Sequence, residues 1–481
     1  MSNKQDDDRL EIQQKAPSRL SGMRQAKTIR KIENMKSKNV DVLIAGGGTA
    51  GVIAGLAAAR NGADTLIIDK QRCLGGQFTA GMQGAWVGFS DKEKLIVKGL
   101  AWELRNILKE RNAIVDEDPN TDVYFLYDTE VAKVVLDEMV AKEPNLHTFL
   151  NTSIVDVITE GNRVAGLVVL SEMEQMEIRA QVVIDCTGDA VVAAKAQVPY
   201  EIRPKNVIQP MSLIGKMAGV DMERVKQYYK ENPPKLDTSE PPAWHDFKTI
   251  PGFTHFGLRD ELENVKLPPR LEYLRNWLAI FTSTPNPGEV TINCSGAIEA
   301  HSIAGFEDRS EQEVVSQQRL YDVAEALRLY VPGFENSYLT GIAALLGIRE
   351  SRRIVGDYKV TLEDFKNARQ FEDNIGLGAM PAGTHTPDGV TMEVYDLEPG
   401  KSMGIPYRCL IPQKVEGLLV AGRCVSYEPD VANCIRCMPQ CMVMGEAAGT
   451  AAAIAVEMNT TPRNVDIKML QEALRKQQVI F

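Results

Sequence analysis

The stretch from Val40 to Lys70, VDVLIAGGGTAGVIAGLAAARNGADTLIIDK, decides the fold of this chain. It begins with Val40–Ile44, a short apolar run with β-branched residues and no helical spacing, which is typical of a buried parallel strand. A glycine-rich turn leads directly into Val52–Arg60, an alanine-rich segment that favours a helix. A second apolar run, Thr65–Ile68, ends at Asp69. The order of strand, glycine turn, helix and strand predicts a βαβ unit of the kind that binds dinucleotides.

The glycine turn has the spacing G-x-G-x-x-G over residues 46–51. Gly46 permits a tight turn, Gly48 lets the backbone approach a pyrophosphate, and Gly51 lets the helix lie close to the strand. The phosphates would then lie at a helix N-terminus, where unpaired N–H groups and the helix dipole favour negative charge. Asp69 is positioned to accept hydrogen bonds from a ribose diol. The turn by itself leaves FAD and NAD both open.

Composition and charge limit the class of protein. A chain of 481 residues is long enough for two or three domains. Its 44% of hydrophobic and 25% of charged residues are ordinary for a soluble globular protein. The net charge of −11 argues against nucleic acid or an anionic membrane as a partner.

The sequence also bears on localisation. The first residues, MSNKQDDDRLEIQQ, lack the apolar run of a secretory signal, and no apolar segment has the length of a membrane span. We therefore expect a cytoplasmic protein without membrane insertion. Most of the eight cysteines lie in or beside apolar segments, so buried reduced thiols are expected.

Residues 1–38 form a basic extension with ten Lys and Arg against five acidic residues. We predict that this extension lies outside the nucleotide-binding region and is partly helical from Leu20 to Met35. It either covers a neighbouring subunit, which would make the protein a homo-oligomer, or remains a solvated tail.

A Gly-Gly pair, Gly75-Gly76, follows a few residues beyond the second strand. These glycines give the backbone freedom to wrap around a cofactor, which NAD-dependent dehydrogenases do not need at this place. The pair therefore favours FAD, with a simple turn as the alternative.

Two more strands and a third loop follow. Leu146–Val157 and Val164–Leu170 predict a hairpin closed by a turn at Gly161-Asn162. The apolar run Met176–Ile184 then leads to Thr187-Gly188-Asp189. This loop belongs at the carboxyl end of a sheet strand, where open α/β sheets bind ligands.

The ordered motifs resemble the FAD-dependent oxidoreductases that have a glutathione-reductase-type Rossmann domain, distant relatives of fumarate reductase flavoproteins and thiazole-synthesis enzymes. The matching segments are AGGGTAGVIAG at 45–55, LGGQFTAG at 74–81, IDCTGDAVVAA at 184–194, LGIRESRRIVGDYKVT at 346–361, IPYRCLIP at 405–412 and LLVAGRC with MPQCMVMGEAAGTAAA within 418–453. The resemblance implies an α/β fold, in which a Rossmann-like FAD-binding domain with a three-layer parallel sheet carries an inserted mixed α/β substrate domain.

The C-terminal segments also predict regular structure. Residues Gly417–Ala421 predict a short strand that ends at Gly422-Arg423, and Met438–Val456 predict a helix rich in Ala and Gly. Such a helix can pack tightly against a strand or a flat ring, and the resemblance implies that its N-terminus faces the flavin. Many related flavoproteins have Gly-Asp where this chain has Gly422-Arg423, so we expect Arg423 to pair with the pyrophosphate directly.

The residues predicted to contact FAD combine the glycine motifs with positions implied by the resemblance. They are Gly46, Gly48, Thr49, Ala50, Gly51, Asp69, Lys70, Gly75, Gly76, Gln77, Thr79, Ile154, Thr187, Gly188, Asp189, Gly422, Arg423, Met438, Cys441 and Met442.

The predicted organisation has five parts. These are a basic extension at 1–38, a first FAD-binding part at 39–200, an inserted substrate domain at 201–400, a second FAD-binding part at 401–463 and a C-terminal helix at 464–481. No second nucleotide loop occurs, because Gly376-Leu377-Gly378 lacks a third glycine and no helical pattern follows. Electrons are therefore expected to come from, and go to, ligands that visit one flavin pocket.

Arg349 is the first of three arginines, with Arg352 and Arg353, in a stretch that we predict to be helical. Their guanidinium groups suit carboxylates or phosphates. The alternative is a structural ion pair with Glu350 or Asp357.

Other candidates for chemistry stand alone. His385 could move a proton during hydride transfer, or it is a packing residue. Tyr407 and Arg408 are similar candidates, and Arg436, just before the flavin-facing helix, could hold an anionic substrate. His301 is a weaker candidate for a pocket wall.

Cys434 and Cys437 form a C-x-x-C motif with Cys441 nearby. This motif has three possible interpretations: thiols that pack near the flavin, a thiol relay to the flavin, and half of a metal site. Because no second tight cysteine pair exists, we predict no metal.

The predicted function is hydride transfer between a small organic substrate, possibly anionic or a hydroxyl or carbonyl compound, and flavin N5, with a separate electron donor or acceptor. One alternative is a flavin-dependent thiol–disulfide oxidoreductase that uses Cys434 and Cys437. Another is a flavin-binding sensor or structural subunit without catalysis.

Overall fold

The computed structural model describes residues 35–115, 124–204, 207–233, 254–276, 279–293, 306–385 and 392–481. Nearly all of the basic extension, with its expected helix, lies outside these residues, and so does His301.

The described residues form strands and helices that alternate along the chain. The strands, numbered in chain order, are β1 Lys36–Ala45, β2 Thr65–Ile68, β3 Ala85–Val87, β4 Ile114–Val115, β5 Tyr124–Tyr127, β6 Leu146–Phe149, β7 Ser153–Glu160, β8 Arg163–Ser171, β9 Glu174–Asp185, β10 Tyr200–Glu201, β11 Ile214–Ala218, β12 Thr254–Gly257, β13 Ala279–Ser283, β14 Val290–Asn293, β15 Tyr338–Ile342, β16 Arg353–Ile354, β17 Asn374–Gly378, β18 Ala382–His385, β19 Met392–Tyr395, β20 Met403–Pro406 and β21 Leu418–Val420. The α-helices are α1 Thr49–Arg60, α2 Leu100–Glu110, α3 Thr129–Ala141, α4 Val191–Lys195, α5 Met222–Glu231, α6 Arg259–Leu262, α7 Phe306–Tyr330, α8 Leu362–Lys366, α9 Ala432–Arg436, α10 Met438–Glu457 and α11 Ile467–Lys476.

One mixed sheet has the strand order β6-β2-β1-β9-β8-β7. Strands β6, β2, β1 and β9 run parallel, and β21 adds a further parallel strand beside the end of β9. Strands β8 and β7 complete the sheet as an antiparallel hairpin. All four residues of β2 are buried, as its continuous apolar run requires. The predicted α/β fold with a parallel-stranded core is confirmed.

The prediction of a single strand over Leu146–Val157 is wrong. Strand β6 pairs with β2, whereas β7 pairs with β8. Between them, Asn151 has a φ of 50°, in the left-handed region that asparagine tolerates, and the chain changes partner there. The predicted turn at Gly161-Asn162 is confirmed, because Glu160 pairs with Arg163 across it.

The register of the parallel strands brings their carboxyl ends to one edge of the sheet. Ala45, at the end of β1, pairs with both Ile68 of β2 and Asp185 of β9. Val420 of β21 pairs with Asp185 as well. The loops that leave these four strands therefore begin side by side.

Helices α1 and α10 pack at very close range. A Cβ atom on Gly445 would overlap the carbonyl oxygen of Ala50, and one on Gly449 would overlap that of Ala54. The sequence predicts a strand or a flat ring as the close partner of α10, and in the structure helix α1 takes that place. The small residues matter because only a face without side chains lets two helix backbones approach so closely.

A second sheet is antiparallel, with the order β12-β13-β14-β11-β15. Its buried side chains and those of α7 form a separate hydrophobic cluster that runs from Met211 to Leu346. The first cluster holds residues up to Val198 and resumes at Ile354. Core residues from Ile354 to Leu397 therefore belong to the first cluster. The boundaries of the inserted substrate domain, at residues 201 and 400, stay predictions.

Candidate functional site

The glycine turn, residues 46–51, connects β1 to α1. Gly46 has a φ of 100°, and a Cβ atom there would lie 2.8 Å from the carbonyl oxygen of Cys186. A Cβ atom on Gly51 would overlap the carbonyl oxygen of Gly46. Gly48 is the N-cap residue of α1 and has no side chain to cap it. The first N–H groups of α1 therefore receive no side-chain cap, which suits an anion.

Asp69 accepts hydrogen bonds from the backbone of the glycine turn and of the loop after β2. Its Oδ2 accepts from the N–H of Gly47 at 2.6 Å, and its Oδ1 accepts from the N–H of Gln71 at 2.7 Å. Burial raises the pKa of Asp69, and these two hydrogen bonds oppose that effect. A carboxylate has about four acceptor positions, so two remain for ribose hydroxyls.

The Gly-Gly loop, residues 75–77, lies directly on the glycine turn. The N–H of Gly75 donates to the carbonyl oxygen of Gly47 at 2.8 Å, and the Thr49 hydroxyl donates to the carbonyl oxygen of Gly75 at 3.0 Å. A Cβ atom on Gly76, where φ is 58°, would lie 3.0 Å from the Cα of Gly48. These two predicted segments are therefore in contact.

The acidic loop, residues 187–189, follows β9. Asp185 holds its first residue, since Oδ1 accepts from the Thr187 N–H at 3.0 Å and from the Thr187 hydroxyl at 2.6 Å. Asp189 accepts from Arg423 Nη2 at 2.6 Å and from Arg309 Nη2 at 3.0 Å. The pKa of Asp189 is lowered, because the attraction of Arg423 and Arg309 outweighs the opposing effect of burial.

The Gly-Arg turn, Gly422-Arg423, follows β21. A Cβ atom on Gly422 would lie 3.3 Å from the Cβ of Ala50, so this turn touches the glycine turn. The Arg423 guanidinium donates to Asp189 and, through Nη1, to the carbonyl oxygen of Ile348 at 2.8 Å. These contacts favour a role in fixing Asp189; direct pairing of Arg423 with pyrophosphate stays a prediction.

The junction segment, Leu346–Arg353, is bonded to three of these loops. The Leu346 carbonyl oxygen accepts from Gln77 Nε2 at 3.1 Å, and the Ile348 carbonyl oxygen accepts from Arg423. The Ser351 hydroxyl donates to the carbonyl oxygen of Gly188 at 3.1 Å, and Arg352 Nη1 donates to that of Asp189 at 2.8 Å. The segment thus joins the second sheet to the carboxyl edge of the first.

The predicted helix around Arg349 is wrong. Residues 348–352 have no regular secondary structure, and Arg353 begins β16. Carbonyl groups in this segment bond to other loops instead of to the next helical turn. The alternative of a structural ion pair is confirmed for Arg353, which is buried with Glu350.

Arg349 and Arg436 approach each other at Gln209-Pro210. Arg349 Nη1 donates to the carbonyl oxygen of Pro210 at 2.7 Å, and Arg436 Nη2 donates to Gln209 Oε1 at 3.3 Å. Arg436 is the last residue of α9, directly before Cys437, the N-cap residue of α10.

The other candidates for chemistry bond elsewhere. The Tyr407 hydroxyl is buried and donates to the carbonyl oxygen of Pro462 at 2.9 Å. Arg408 forms an ion pair with Asp373 at 2.9 Å. His385 is the last residue of β18. Catalytic roles for Tyr407, Arg408 and His385 stay predictions, and these contacts give Tyr407 and Arg408 a structural role.

The remaining predicted FAD contacts occupy different parts of the fold. Lys70 is exposed, and its positive charge acts on Asp189. The Thr79 hydroxyl donates to the carbonyl oxygen of Leu74 inside the core. Met438, Cys441 and Met442 occupy the first two turns of α10, and Ile154 pairs with Val169 in the outer hairpin.

Burial favours the protonated form of the C-x-x-C thiols and of the neighbouring Cys441 thiol. Burial raises the pKa of Cys437 to about 11 and that of Cys441 to about 12, and it raises the pKa of Cys434 as well. All three are free cysteines. A thiol relay to the flavin needs a thiolate, so the raised pKa values of these cysteines argue against such a relay. In the ranges that the structure describes, no group of three or more His, Cys, Asp or Glu side chains could hold a metal ion.

Two residues of the site have no signal in the sequence. Arg309 lies in α7, 120 positions from the Asp189 that it binds, and Gln209 lies in an irregular segment. Neither residue belongs to a sequence motif. The packing of the second sheet against the first brings both of them to the loops.

The FAD dependent oxidoreductase family provides the decisive comparison, since its profile matches residues 41–474. The chain belongs to this family. It is an FAD-dependent oxidoreductase, and the resemblance expected from the motifs is confirmed. The glycine positions that a Cβ atom would fill, together with Asp69, fit an adenine dinucleotide.

Individual relatives cover less of the chain. The thiamine thiazole synthase of Pyrococcus horikoshii is 28% identical over 170 residues, which are 34% of this chain and 62% of that protein. The chain therefore spans less than two thirds of the length of this curated relative.

Two solved structures align with most of the chain at low sequence identity. A geranylgeranyl bacteriochlorophyll reductase-like protein from Thermoplasma acidophilum has a TM-score of 0.43 and 16% identity, over 91% of this chain and 83% of that one. The quinol fumarate reductase of E. coli has a TM-score of 0.42 and 14% identity, over 92% and 74%.

The described residues contain no helix whose length and apolar character would let it cross a bilayer.

Proposed function

We propose that this flavoenzyme transfers a hydride between a small organic substrate and FAD held at the carboxyl edge of the mixed sheet. The observation that carries the proposal is the mutual contact of the glycine turn, the Gly-Gly loop, the acidic loop and the Gly-Arg turn at the carboxyl edge of the sheet. The bound flavin would supply the hydride chemistry, while the protein supplies binding and orientation.

The cofactor would be held mainly by backbone groups. The uncapped start of α1 would hold the pyrophosphate, and Asp69 would accept from the ribose hydroxyls. Gly76 leaves the space beside Gly48 free of a side chain. The start of α10 would direct its N–H groups at the flavin ring.

The substrate would enter beside the junction segment. This segment connects the second sheet to the cofactor loops through hydrogen bonds to Gln77, Arg423 and Gly188. Because the described residues contain a single G-x-G-x-x-G turn, we propose that a separate electron donor or acceptor visits the same pocket.

Anaerobic reduction tests this function. The purified holoenzyme is mixed with hydroxy acids, amino acids, polyols or aldehydes, and the flavin absorption band is followed. We expect at least one class to bleach the band within the time of a catalytic cycle. A holoenzyme that dithionite reduces but that no organic donor bleaches, and whose reduced form no organic acceptor reoxidises, would contradict hydride transfer and favour a sensor.

A further inference from the structure

Arg203, Glu350 and Arg353 form a largely buried group of charges, which we call the charge cluster. We propose that the charge cluster binds a small anion with a single negative charge, such as chloride, at one edge of the Arg353 guanidinium. This site is separate from the flavin pocket and goes beyond the proposed function.

The Arg353 guanidinium uses only part of its donor capacity. Its Nη1 donates to Glu350 Oε1. Its Nε and Nη2 are buried, and neither finds a hydrogen-bond acceptor among the described residues. These two atoms share one edge of the planar guanidinium, which is the edge that binds an anion through two parallel hydrogen bonds. A buried N–H donor of a charged group without an acceptor is costly, so this edge favours a ligand that accepts from both atoms.

The two arginines share one carboxylate. Arg203 Nη1 lies 3.8 Å from Glu350 Oε2, which is within ion-pair distance but too far for a hydrogen bond. This Nη1 is also buried without an acceptor in the described part of the chain. Apart from Glu350, no carboxylate of the described residues lies within ion-pair distance of Arg203 or Arg353. Because arginine stays protonated at neutral pH, two positive charges face one negative charge.

The neighbouring Tyr427 does not supply the missing negative charge. The Arg353 Cζ lies 5.5 Å from the centroid of the Tyr427 ring. Burial raises the pKa of Tyr427 to about 12, although the positive charge of Arg353 opposes this effect, so the phenol is neutral at pH 7. The ring face attracts the guanidinium, but it leaves the net charge of the cluster unchanged. An anion with one negative charge would neutralise that charge.

Burial limits the size of the ligand. Arg353 and Tyr427 are each 1% exposed, and Glu350 is 3% exposed. A cofactor that lies at the loops, or an organic substrate, therefore does not reach the unpaired edge of Arg353. The Arg203 side chain is 18% exposed, so the cluster meets solvent at Arg203 and a small ion can enter there. These exposures favour a halide ion over an organic anion.

The charge cluster lies behind the segment that follows the Gly-Arg turn. The N–H of Ile354, the residue after Arg353, donates to the carbonyl oxygen of Cys424 at 3.0 Å. The Tyr427 hydroxyl donates to the carbonyl oxygen of Arg423 at 2.8 Å. An anion that neutralises the cluster would therefore stabilise the backbone that carries Arg423, and its binding should appear as a gain in protein stability.

The test measures how the stability of the full-length, FAD-loaded protein depends on the anion. The melting temperature is followed while sodium chloride or sodium bromide replaces sodium gluconate at constant ionic strength, and FAD content is checked at each step. Gluconate is the reference ion because it is too large for so deeply buried a site. We expect a saturable rise of about 2 °C at a chloride concentration of roughly ten times the dissociation constant.

Three variants locate the effect. Arg353→Lys keeps the charge but loses the planar edge, so it should weaken chloride binding by about 10-fold. Arg203→Gln removes the excess positive charge and leaves the ion pair of Arg353 with Glu350, so it should weaken chloride binding as well. Arg463→Gln is the matched control, because it breaks ion pairs with two other carboxylates. It should lower the melting temperature and leave the response to chloride unchanged.

A crystal of the wild type grown in bromide gives the position of the ion. An anomalous peak within hydrogen-bond reach of Arg353 Nε and Nη2 supports the site even if Arg353→Lys fails to fold. The charge cluster is not an anion site if chloride and gluconate give the same melting temperature, or if Arg353→Lys and Arg203→Gln respond to chloride as the wild type does. A water molecule at this edge in the bromide crystal, without an anomalous peak, would also overturn it.

Discussion

Asp189 and Arg423, 234 positions apart in the sequence, are joined by a hydrogen bond of 2.6 Å between Oδ1 and Nη2. The other oxygen of the same carboxylate accepts from Arg309 of α7 at 3.0 Å. One carboxylate thus links the end of β9, the end of β21 and the second sheet region. The pair holds together two loops that the sequence separately assigns to FAD.

Replacing Asp189 with Asn should destabilise the protein by about 3 kcal/mol, because it leaves two arginines without their counter-ion. The lowered pKa of Asp189 means that the stabilisation is present above the unfolded pKa of about 3.9 and is lost as the pH falls through the lower folded value. The difference in unfolding free energy between wild type and variant, measured in urea, should therefore shrink in acid. The exposed Asp430→Asn is the control. A pH-independent difference would contradict this account of the ion pair.

Glu446 in α10 should make stability fall as the pH rises. Its Oε2 accepts from the Leu100 N–H at 2.9 Å, while its Oε1 is buried without a partner. Burial raises the pKa of Glu446 to about 8, so the native state binds more protons than the unfolded state between about pH 4.5 and pH 8. Glu446→Gln should flatten the loss of melting temperature between about pH 4.5 and pH 8. Glu457→Gln, exposed at the end of α10, should leave that loss unchanged, and an equally steep loss in Glu446→Gln would show that another group titrates.

Gly76→Ala should weaken FAD binding by about 10-fold, which corresponds to about 1.4 kcal/mol. The new Cβ would lie 3.0 Å from the Cα of Gly48, between the two loops that we assign to the cofactor. Gly161→Ala is a matched control, because its φ of 63° is close to the 58° of Gly76 and nothing lies within 4 Å of the added atom. Both variants carry similar backbone strain. Equal loss of FAD, measured by equilibrium dialysis, would place the cofactor elsewhere.

Serine at both Cys434 and Cys437 should leave the rate of flavin reduction within about 3-fold of the wild type, an effect below 1 kcal/mol. The reason is that burial raises both pKa values and keeps the thiols protonated. The rate is measured with the best donor from the anaerobic screen, after FAD content has been checked. Abolished reduction in a fully loaded double variant would instead support the thiol–disulfide alternative.

Local patterns predicted much of the fold. The βαβ unit, the turn at Gly161-Asn162 and the long α10 depend on contacts close in sequence, such as strand period, glycine spacing and helix composition. The errors arose where tertiary contacts override local preference. Leu146–Val157 divides between two partner strands, and the segment around Arg349 bonds to distant loops instead of to itself.

The sequence by itself determined the family and the glycine-built cofactor loops, because each loop depends on a few adjacent residues whose backbone geometry only glycine allows. The tertiary structure decided which charges meet. It joined Asp189 to Arg423 and Arg309, and it brought Arg349 to Arg436 across Gln209-Pro210. Such pairings depend on how two separate cores pack together, and no periodicity along the chain records that arrangement.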